Sequence, residues 1–178
     1  GPDAGGYALR WTVEGPSEDV AAEVDALQAT LAAAGAPAAS DSGSPATDLW
    51  LNLFAAHRDA LIVRIGLPPG RMPAYWAQLP AAARGQAAWS WDVAHHLAYA
   101  ACTAQTPEAA AAWLDAVRRP ALALDGYAAA MQMPPAWRAA LDPWGYAPSA
   151  GDLMAGLQTR WDPARILNLG DLPFAAPR

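Results

Sequence analysis

The fold class of this chain is decided by the stretch ALIVRIGLPPG, which occupies residues 60–70. A run of β-branched and aliphatic side chains of this length is typical of a buried β-strand, and the Pro-Pro-Gly that follows cannot continue a strand. Arg64 is the single charged residue within the run. The stretch therefore predicts a strand over residues 60–67, and the neighbouring elements follow in both directions.

Upstream, the sequence predicts a strand followed by a helix. Residues 7–14 alternate apolar and polar side chains, and this period of two indicates a half-buried strand. Ser17 is placed to cap a helix that Gly35 ends. The helix carries one apolar stripe, made of Val20, Val24, Leu27 and Leu31. Residues 36–47 are predicted to form a flexible connection, and residues 48–56 a short helix.

Downstream of the first quoted stretch, the sequence predicts a short helix and another strand. The helical piece covers residues 73–79. Residues 97–102 suit a strand because small and β-forming side chains dominate there. Residues 92–96 are interpreted as the lead-in to this strand or as a bend.

A second well-marked helix begins at residues 106–108, which read Thr-Pro-Glu. They supply a capping side chain, a proline at the first helical position and an acid in the first turn. Pro120 is expected to end this helix. Residues 127–133 follow as a strand, and residues 136–148 have an irregular pattern. A last helix is predicted over residues 149–161, with an apolar side made of Leu153, Leu157 and Trp161.

The predicted elements follow the order strand, helix, strand, strand, helix, strand. This order predicts an α+β fold of the ferredoxin-like βαββαβ kind, in which an antiparallel sheet carries helices on one face. We expect this domain to span residues 1–135. Residues 136–178 are expected to form an irregular segment, a C-terminal helix and a tail. The uncovered face of such a sheet is a place where a ligand or a partner can bind.

The composition limits the functions that are open to the chain. Hydrophobic residues make up 54% and charged residues 16% of the chain, and nine residues are Trp. Soluble proteins average about 25% charged residues, so we expect a partner to cover part of this surface. The net charge of −6 argues against nucleic-acid binding, which needs a clustered basic face.

Targeting and redox features are few. No apolar run approaches the roughly 20 residues of a membrane span, and no leader is evident, so the cytoplasm is the expected location, with membrane association only through a complex. The initial Gly1-Pro2 is typical of a cleaved tag and predicts that the natural chain begins further upstream. Cys102, the single cysteine, excludes an internal disulfide and is expected to be a buried, unreactive thiol.

The tail of the chain carries the most specific motif, LQTRWDPARILNLG, at residues 157–170. Pro163 must end the helix that precedes it, and Asp162 can cap the turn that follows. Ile166 and Leu167 can anchor the chain against a core. This run resembles the C-terminal signature of FAD-linked oxidases of the vanillyl-alcohol-oxidase superfamily, in which the tail packs back on the flavin domain.

Two further stretches are similar to the same family. Residues 9–35 look like the first unit of its C-terminal domain, and residues 64–69 resemble a segment of the FAD-binding subunit of glycolate oxidase. Leu169 departs from the family, which has proline at that place, and the histidine-rich substrate motif of the metal-dependent branch is missing. The chain is therefore more similar to the accessory FAD subunit than to the main catalytic one.

The resemblance implies a function for the intact protein, namely an FAD-dependent oxidoreductase that oxidises a small 2-hydroxy acid by hydride transfer to flavin. This chain would be its substrate-side domain, with the FAD-binding domain of the same protein and other oxidase subunits as partners. Asn168 is the residue that the resemblance assigns to cofactor contact. The chain has no Gly-rich phosphate-binding loop, so we expect it to bind FAD weakly or not at all and to be inactive by itself.

Three residues are candidates for substrate chemistry. Arg64 can pair with a substrate carboxylate, or else point to solvent or bridge to Asp59 or Glu14. An imidazole at His95 or His96 can accept the proton of a substrate hydroxyl. No carboxylate partner is evident for these histidines, so ordinary polar positions at a strand entry are the simpler interpretation.

Aromatic residues and a third histidine complete the candidates. Tyr99 and Tyr127 can lie over a flavin or substrate, or pack in the core. Trp89 and Trp91 suit an interface and the core equally well. His57 is expected at the surface. No spacing typical of metal ligands is present.

Two other functions stay open. The chain can be a non-catalytic interaction module whose exposed sheet face docks on a catalytic flavoprotein. It can also be a free-standing binder of small molecules, with an accidental likeness in the tail. Convergence of Arg64 and the histidines on one pocket would favour the oxidoreductase over the docking module. A free-standing binder requires a C-terminal helix with no exposed apolar face.

Overall fold

The structure is a computed structural model that describes residues 9, 11–38, 54–57 and 59–167. Contacts divide the chain into two compact units, Gly1–Asn52 and Leu53–Arg178. Residues 54–56 are helical, whereas the rest of the short helix predicted over residues 48–56 lies outside the described residues. Asn168, the predicted cofactor contact, also lies outside them.

The described part of the first unit contains one long helix, α1 (Ser17–Ala33). Gly35 follows it at φ +70°, a left-handed conformation that glycine adopts readily, and this confirms the predicted end of the helix. Ser17 is the first residue of α1 and makes no capping hydrogen bond. Its predicted role as the cap was therefore wrong, because Pro16 occupies the cap position.

The strand predicted over residues 7–14 does not form in the described part of that stretch. Leu9 and residues 11–14 belong to no strand, and the side chains of Leu9 and Trp11 are exposed. The indole of Trp11 instead donates to the carboxylate of Glu23 in α1 over 3.4 Å. An alternating pattern marks which face a strand would bury, but the strand also needs a neighbour for its backbone hydrogen bonds.

The second unit is built on an antiparallel sheet. Within the described residues, the strands are β1 (Leu61–Gly66), β2 (Ala87–Asp92), β3 (Leu97–Cys102) and β4 (Tyr127–Gln132). They lie in the order β2-β3-β1-β4, and each neighbouring pair is antiparallel. The helices between them are α2 (Met72–Gln78), α3 (Ala81–Gly85) and α4 (Pro107–Ala123). This arrangement is consistent with the ferredoxin-like α+β fold, as the sequence predicts.

The four strands differ from the predicted set in one member. Three predicted strands are confirmed to within one residue at each end, whereas the described part of residues 7–14 supplies no strand. Strand β1, expected to be the second in the βαββαβ order, is therefore the first, and β2 takes the second place. The signal for β2 is present, because Trp89 and Trp91 alternate with Ser90 and Asp92. A four-residue turn at 93–96 then joins β2 to β3, so the predicted bend is correct and the missing element precedes it.

The helices cover one face of the sheet, as predicted. Alternate strand residues and the inner sides of α2, α3 and α4 form the core, which includes Leu61, Val63, Ile65, Ala98, Ala100, Tyr75, Leu79, Trp113, Leu114 and Val117. The buried hydroxyl of Tyr75 donates to the carbonyl of Val117 over 3.2 Å. The indole of Trp113 donates to the carbonyl of Ala83 over 2.9 Å. Both bonds tie the short helices to α4.

Helix α4 begins as predicted and continues further than predicted. Thr106 caps it by accepting a hydrogen bond from the amide of Ala109 over 3.2 Å. Pro120 lies inside the helix and is buried, so the prediction that it ends α4 was wrong. A proline removes one backbone hydrogen bond from a helix, and burial of its ring against the core offsets this loss.

Arg118 of α4 is buried and holds three parts of the second unit together. Its Nε donates to the carbonyl of Ala128 in β4 over 2.9 Å, and its Nη2 to that of Asp142 over 2.6 Å. Burial lowers the pKa of Arg118, against the opposing charges of Asp142 and Asp115. Gly145 is needed beside it, because a Cβ at that position would lie 2.3 Å from the guanidinium Nε.

The chain after β4 matches its predicted character. A 3₁₀ turn (Pro135–Trp137) and further turns occupy the irregular stretch over residues 136–148. The backbone amide of Ala130 in β4 donates to the carbonyl of Pro143 over 2.7 Å, so this segment runs beside the outer edge of the sheet. The predicted C-terminal helix is confirmed as α5 (Gly151–Trp161).

Candidate functional site

The face of the sheet opposite the helices carries a cluster of polar and aromatic side chains. Strand pairing places Arg64 of β1 directly opposite Tyr99 of β3, and Tyr99 directly opposite Ser90 of β2. In the next row, Asp92 pairs with Leu97, which pairs with Gly66. Successive strand residues point to opposite faces, so these side chains avoid the helix-covered core. We call the set Arg64, Tyr99, Tyr127, Ser90 and Asp92 the arginine face.

Gly66 makes room for Tyr127 on this face. A Cβ at Gly66 would lie 2.3 Å from the Tyr127 ring, so the ring can rest there only because the residue is glycine. The Tyr127 ring centre is 5.5 Å from the Arg64 guanidinium carbon, which is a cation–π distance. On its other side Tyr127 meets Tyr146 at 5.8 Å between ring centres. Tyr127 therefore fixes one side of the arginine.

Tyr99 fixes the other side of Arg64. Burial raises the pKa of the Tyr99 hydroxyl, Arg64 opposes this through its charge and a hydrogen bond, and Asp92 and Tyr127 reinforce it. The raised pKa keeps the phenol protonated at neutral pH. The Tyr99 oxygen accepts the hydrogen bond from Arg64, so the guanidinium is held against Tyr99 on the arginine face.

Arg64 is half-buried and is only partly satisfied within the described residues. Its Nε is buried and has no hydrogen-bond partner among them. An unpaired buried donor costs on the order of 1–3 kcal/mol, and because this Nε is inaccessible to solvent, a ligand would have to contact another part of the guanidinium. A planar guanidinium between two rings is suited to a carboxylate.

The turn between β2 and β3 brings a carboxylate to His95. The ring Nδ1 of His95 lies 2.9 Å from both carboxylate oxygens of Asp92, and the His95 backbone amide donates to the same carboxylate over 3.1 Å. The expectation that the histidines have no carboxylate partner is therefore wrong for His95, because the turn after β2 folds its ring back onto Asp92. His96 adopts φ +57° in the turn, and its carbonyl accepts from the amide of Leu67 over 3.1 Å.

Two cavities of the second unit lie elsewhere. One is lined by α4 and the loop after β4 and includes Arg118, and the other is lined by His57, Cys102 and Trp137 among others. Neither cavity is lined by Arg64, His95 or His96. Arg64 lies on the sheet face and the two histidines lie in the turn at its end, and neither of these two cavities gathers them. His57, expected at the surface, is half-buried.

Structural roles are found for Cys102, Trp89 and Trp91. Cys102 is buried, and burial raises its pKa, so the thiol stays protonated at neutral pH as predicted. Trp89 and Trp91 pack against the core rather than forming a separate interface. Both meet the ring of Trp76 edge-on with ring centres 5.4 Å apart.

A second candidate region is the C-terminal helix and the turn after it. Five apolar side chains lie exposed there, and we call them the C-terminal apolar surface: Leu153, Leu157, Trp161, Ile166 and Leu167. The helix stripe predicted at spacings of four is thus exposed to solvent. The prediction that Ile166 and Leu167 anchor the chain against a core is wrong for the described residues, where they are 74% and 60% exposed.

Asp162 gives this region a defined shape. It is buried, with 6% of its surface exposed, and its carboxylate accepts from the amides of Ile166 and Leu167 over 2.9 Å each. Arg165 takes φ +51° to close the turn. These contacts confirm that Asp162 caps the turn after α5, as the motif predicts.

The described residues contain neither a candidate metal-binding cluster nor a helix that could cross a membrane. Among those described, no group of three or more His, Cys, Asp or Glu side chains is placed to hold a metal ion. None of the described helices has the length and apolar character needed to cross a membrane.

Comparison with known proteins gives no relative. No protein-family model matches the chain, and no curated protein or solved structure is detectably similar to it.

Proposed function

We propose that this chain is the substrate-side domain of an FAD-linked oxidoreductase that oxidises a small 2-hydroxy acid. The observation that carries the proposal is the C-terminal apolar surface, four of whose five residues lie in the tail motif that resembles these oxidases. Contiguous exposed apolar side chains mark interaction sites in soluble proteins. In the proposed protein, this surface packs on the FAD-binding domain.

The hydrogen-bonded turn after α5 supports the same interpretation. The two hydrogen bonds to the Asp162 carboxylate hold Ile166 and Leu167 in place although neither side chain is buried. Ordering an exposed apolar segment has a cost in chain entropy that burial on a partner can offset. A free-standing binder of small molecules, which needs a C-terminal helix without exposed apolar side chains, is disfavoured.

The arginine face supports the substrate side of the proposal. Arg64 supplies a half-buried guanidinium that Tyr99 and Tyr127 hold on this face. Such a group binds a small carboxylate. We therefore assign the substrate carboxylate to Arg64.

The described residues do not fit the nucleotide part of FAD. A dinucleotide phosphate is usually bound by a Gly-rich loop that opens a helix. The residues at the N-cap positions of these helices are instead Pro16, Arg71, Pro80, Thr106 and Ala150. The cofactor site, and the flavin that would accept the hydride, are therefore assigned to another domain of the protein.

A non-catalytic docking module is the second candidate. It is favoured by the cavities, because neither of the two contains Arg64, His95 or His96. In this alternative the C-terminal apolar surface binds a separate catalytic flavoprotein. The two candidates differ in whether the domain that covers this surface belongs to the same polypeptide.

Hydrogen exchange of α5 tests the proposed docking. In an upstream-extended protein, we expect the amides of α5 and its turn to exchange at least about tenfold more slowly than in the 178-residue chain, because docking suppresses local opening. Trp161→Ser should remove this protection. Leu122→Ser is the control, because Leu122 is an exposed apolar residue of α4 outside this surface.

Equal exchange rates in the two proteins would contradict docking within one polypeptide. Protection that appears only after a separate flavoprotein is added would support the docking module instead.

A further inference from the structure

A cleft of about 520 Å³ lies between α4 and the loop that follows β4. Asp115, Arg118 and Arg119 of α4 line one side of it, and residues 140–142 line the other. A concave site of roughly this size has room for a small-molecule ligand. The cleft contains no residue of the arginine face or of the C-terminal apolar surface, so binding there is a separate property of the chain.

Arg118 has an unused edge at this cleft. The residue is 8% exposed, and its Nε and Nη2 donate to the backbone carbonyls of Ala128 and Asp142. These nitrogens form one edge of the planar guanidinium, so the edge made by Nη1 and the second Nη2 hydrogen is left over. None of the described residues accepts a hydrogen bond from Nη1, and this atom is not buried. A ligand in the cleft can therefore accept from Arg118.

Asp115 and Arg119 lie about one helical turn apart at the cleft, and both are exposed. An acid four residues before an arginine is well placed for an ion pair on a helix. Within the part of the chain that the structure describes, however, no salt bridge joins them, and the ion pair that is present links His95 to Asp92. Each of the two charges is thus available to an opposite charge on a ligand.

The charges around the cleft are balanced, with two acids and two arginines among its lining residues. Burial lowers the pKa of Arg118, and the charges of Asp142 and Asp115 oppose this, so both carboxylates act on the guanidinium. The carboxylate of Asp142 accepts from the amides of Trp144 and Gly145 over 2.9 Å each. Asp115 is therefore the acid that remains for a ligand. A balanced site suits a zwitterion, whereas a phosphate dianion would meet two carboxylates.

The rest of the lining is apolar and leaves space beside Leu122. This side chain is 44% exposed, and its neighbours in the cleft include the small side chains of Ala111, Ala112 and Ala140. A branched aliphatic group that packs there removes apolar surface from water. The cleft thus combines a donor edge, a free carboxylate and an apolar wall.

We propose that this cleft binds a free α-amino acid with an aliphatic side chain. Arg118, through its Nη1 edge, and Arg119 bind the carboxylate. Asp115 binds the ammonium group, and Leu122 contacts the aliphatic side chain. This site goes beyond the proposed function and does not depend on it, because none of these residues belongs to the arginine face or to the surface assigned to docking.

Related ligands test the site on the 178-residue chain. Leucine carries both charges, 4-methylpentanoate lacks the ammonium group and 3-methylbutylamine lacks the carboxylate. We expect leucine to bind at least about tenfold more tightly than the amine, because the charge-assisted hydrogen bonds to Arg118 need the carboxylate. Leucine should bind about threefold more tightly than 4-methylpentanoate, within the range of an exposed ion pair. NMR chemical-shift titration gives the dissociation constants, and the shifts should fall at residues 111–122 and 140–145.

Variants at exposed positions assign the contacts. Asp115→Asn should bring the affinities for leucine and 4-methylpentanoate to a ratio of about one. Its control is Glu108→Gln, which changes an exposed acid of the same helix outside the cleft. Arg119→Gln should weaken both carboxylates by about threefold and leave the amine unchanged. Its control is Arg160→Gln, which changes an exposed arginine of α5.

The contact with Arg118 is measured without a substitution, because its two backbone hydrogen bonds also hold α4 to β4 and to the loop. The guanidinium NMR signals of Arg118 in the unaltered chain should shift with leucine and with 4-methylpentanoate. They should stay in place with 3-methylbutylamine, which has no acceptor for Nη1.

Three results would overturn the proposal. The first is the absence of shifts at the cleft residues up to roughly 100 mM leucine. The second is equal affinity for leucine and 3-methylbutylamine. The third is an effect of Asp115→Asn on leucine binding no larger than that of Glu108→Gln. Each would show that the charges of the cleft serve the fold and not a ligand.

Discussion

Gly66 is the residue on which the arginine face depends. Tyr127 rests where a side chain at position 66 would stand, and from there its ring contacts the guanidinium of Arg64. The sequence marks Gly66 only as a member of a β-branched run, in which glycine is unfavourable. Its role becomes visible when the register pairs it with Tyr127 on β4.

Gly66→Ala should therefore displace the Tyr127 ring. We expect a loss of about 1–3 kcal/mol in the free energy of unfolding, because the new methyl group overlaps a ring that is held by neighbours. The carboxylate affinity of the arginine face should fall as well, since the ring then no longer positions Arg64. Urea unfolding and glycolate titration measure the two effects.

The matched control is Gly156→Ala in the interior of α5. A Cβ at Gly156 would meet no atom within 4 Å, and alanine favours a helix over glycine by roughly 1 kcal/mol. This substitution should leave stability unchanged or slightly raised. Equal losses for the two variants would contradict the proposed contact between Gly66 and Tyr127.

Candidate site residues could be identified from the sequence only singly. Arg64 stands out because it is a charge within an apolar run, whereas its two tyrosine neighbours are set by strand register. The Asp92–His95 pair depends on where β2 ends and the turn begins. Side-chain partners across strands and turns require the three-dimensional pairing, which no single stretch of sequence encodes.

At the scale of elements, the strand-like residue patterns and the helix-capping residues of the sequence predicted most of the strands and helices of the second unit. The β-branched run of β1 and the Thr106 cap of α4 lie where the sequence places them. Strand β2 was not predicted, because its two tryptophan rings also suit an interface. The end of α4 was predicted too early, because tertiary packing keeps Pro120 inside the helix. In both places the packing of the core decided the outcome rather than local preference.

The turn after α5 is an element whose shape rests on one carboxylate. Asp162→Ala removes the acceptor for the amides of Ile166 and Leu167. We expect these two amides to exchange at least about tenfold faster in the variant, because a hydrogen bond worth about 1.4 kcal/mol is lost from each. Amide exchange followed by NMR on the 178-residue chain measures this change.

Asp152→Ala is the control for this variant. Asp152 is an exposed acid in the first turn of the same helix. Its removal should leave exchange at Ile166 and Leu167 unchanged. Unchanged exchange in Asp162→Ala would show that the turn is held by something other than its carboxylate.

At the scale of the molecule, the two ends of the second unit have different roles in the proposal. The sheet and its helices enclose a filled core, in which Tyr75, Leu114 and Val117 are fully buried. The C-terminal apolar surface, by contrast, leaves Trp161 74% exposed. A domain with a complete core and an exposed apolar helix is suited to dock as a unit on a larger protein.

The α+β class of the fold could be predicted from the order of its elements, although one of the four strands came from a different stretch of sequence. A βαββαβ order has few sheet arrangements that keep connections short, and this constraint compensates for an error in a single element. Function has no comparable constraint, because the same fold serves many chemistries.

The absorption spectrum of the upstream-extended protein, purified without added cofactor, tests the central claim most directly. The account predicts flavin bands at about 370 and about 450 nm in the extended protein and none in the 178-residue chain. A colourless extended protein that is folded and purified intact would contradict the claim that this chain is the substrate-side domain of an FAD-linked oxidoreductase.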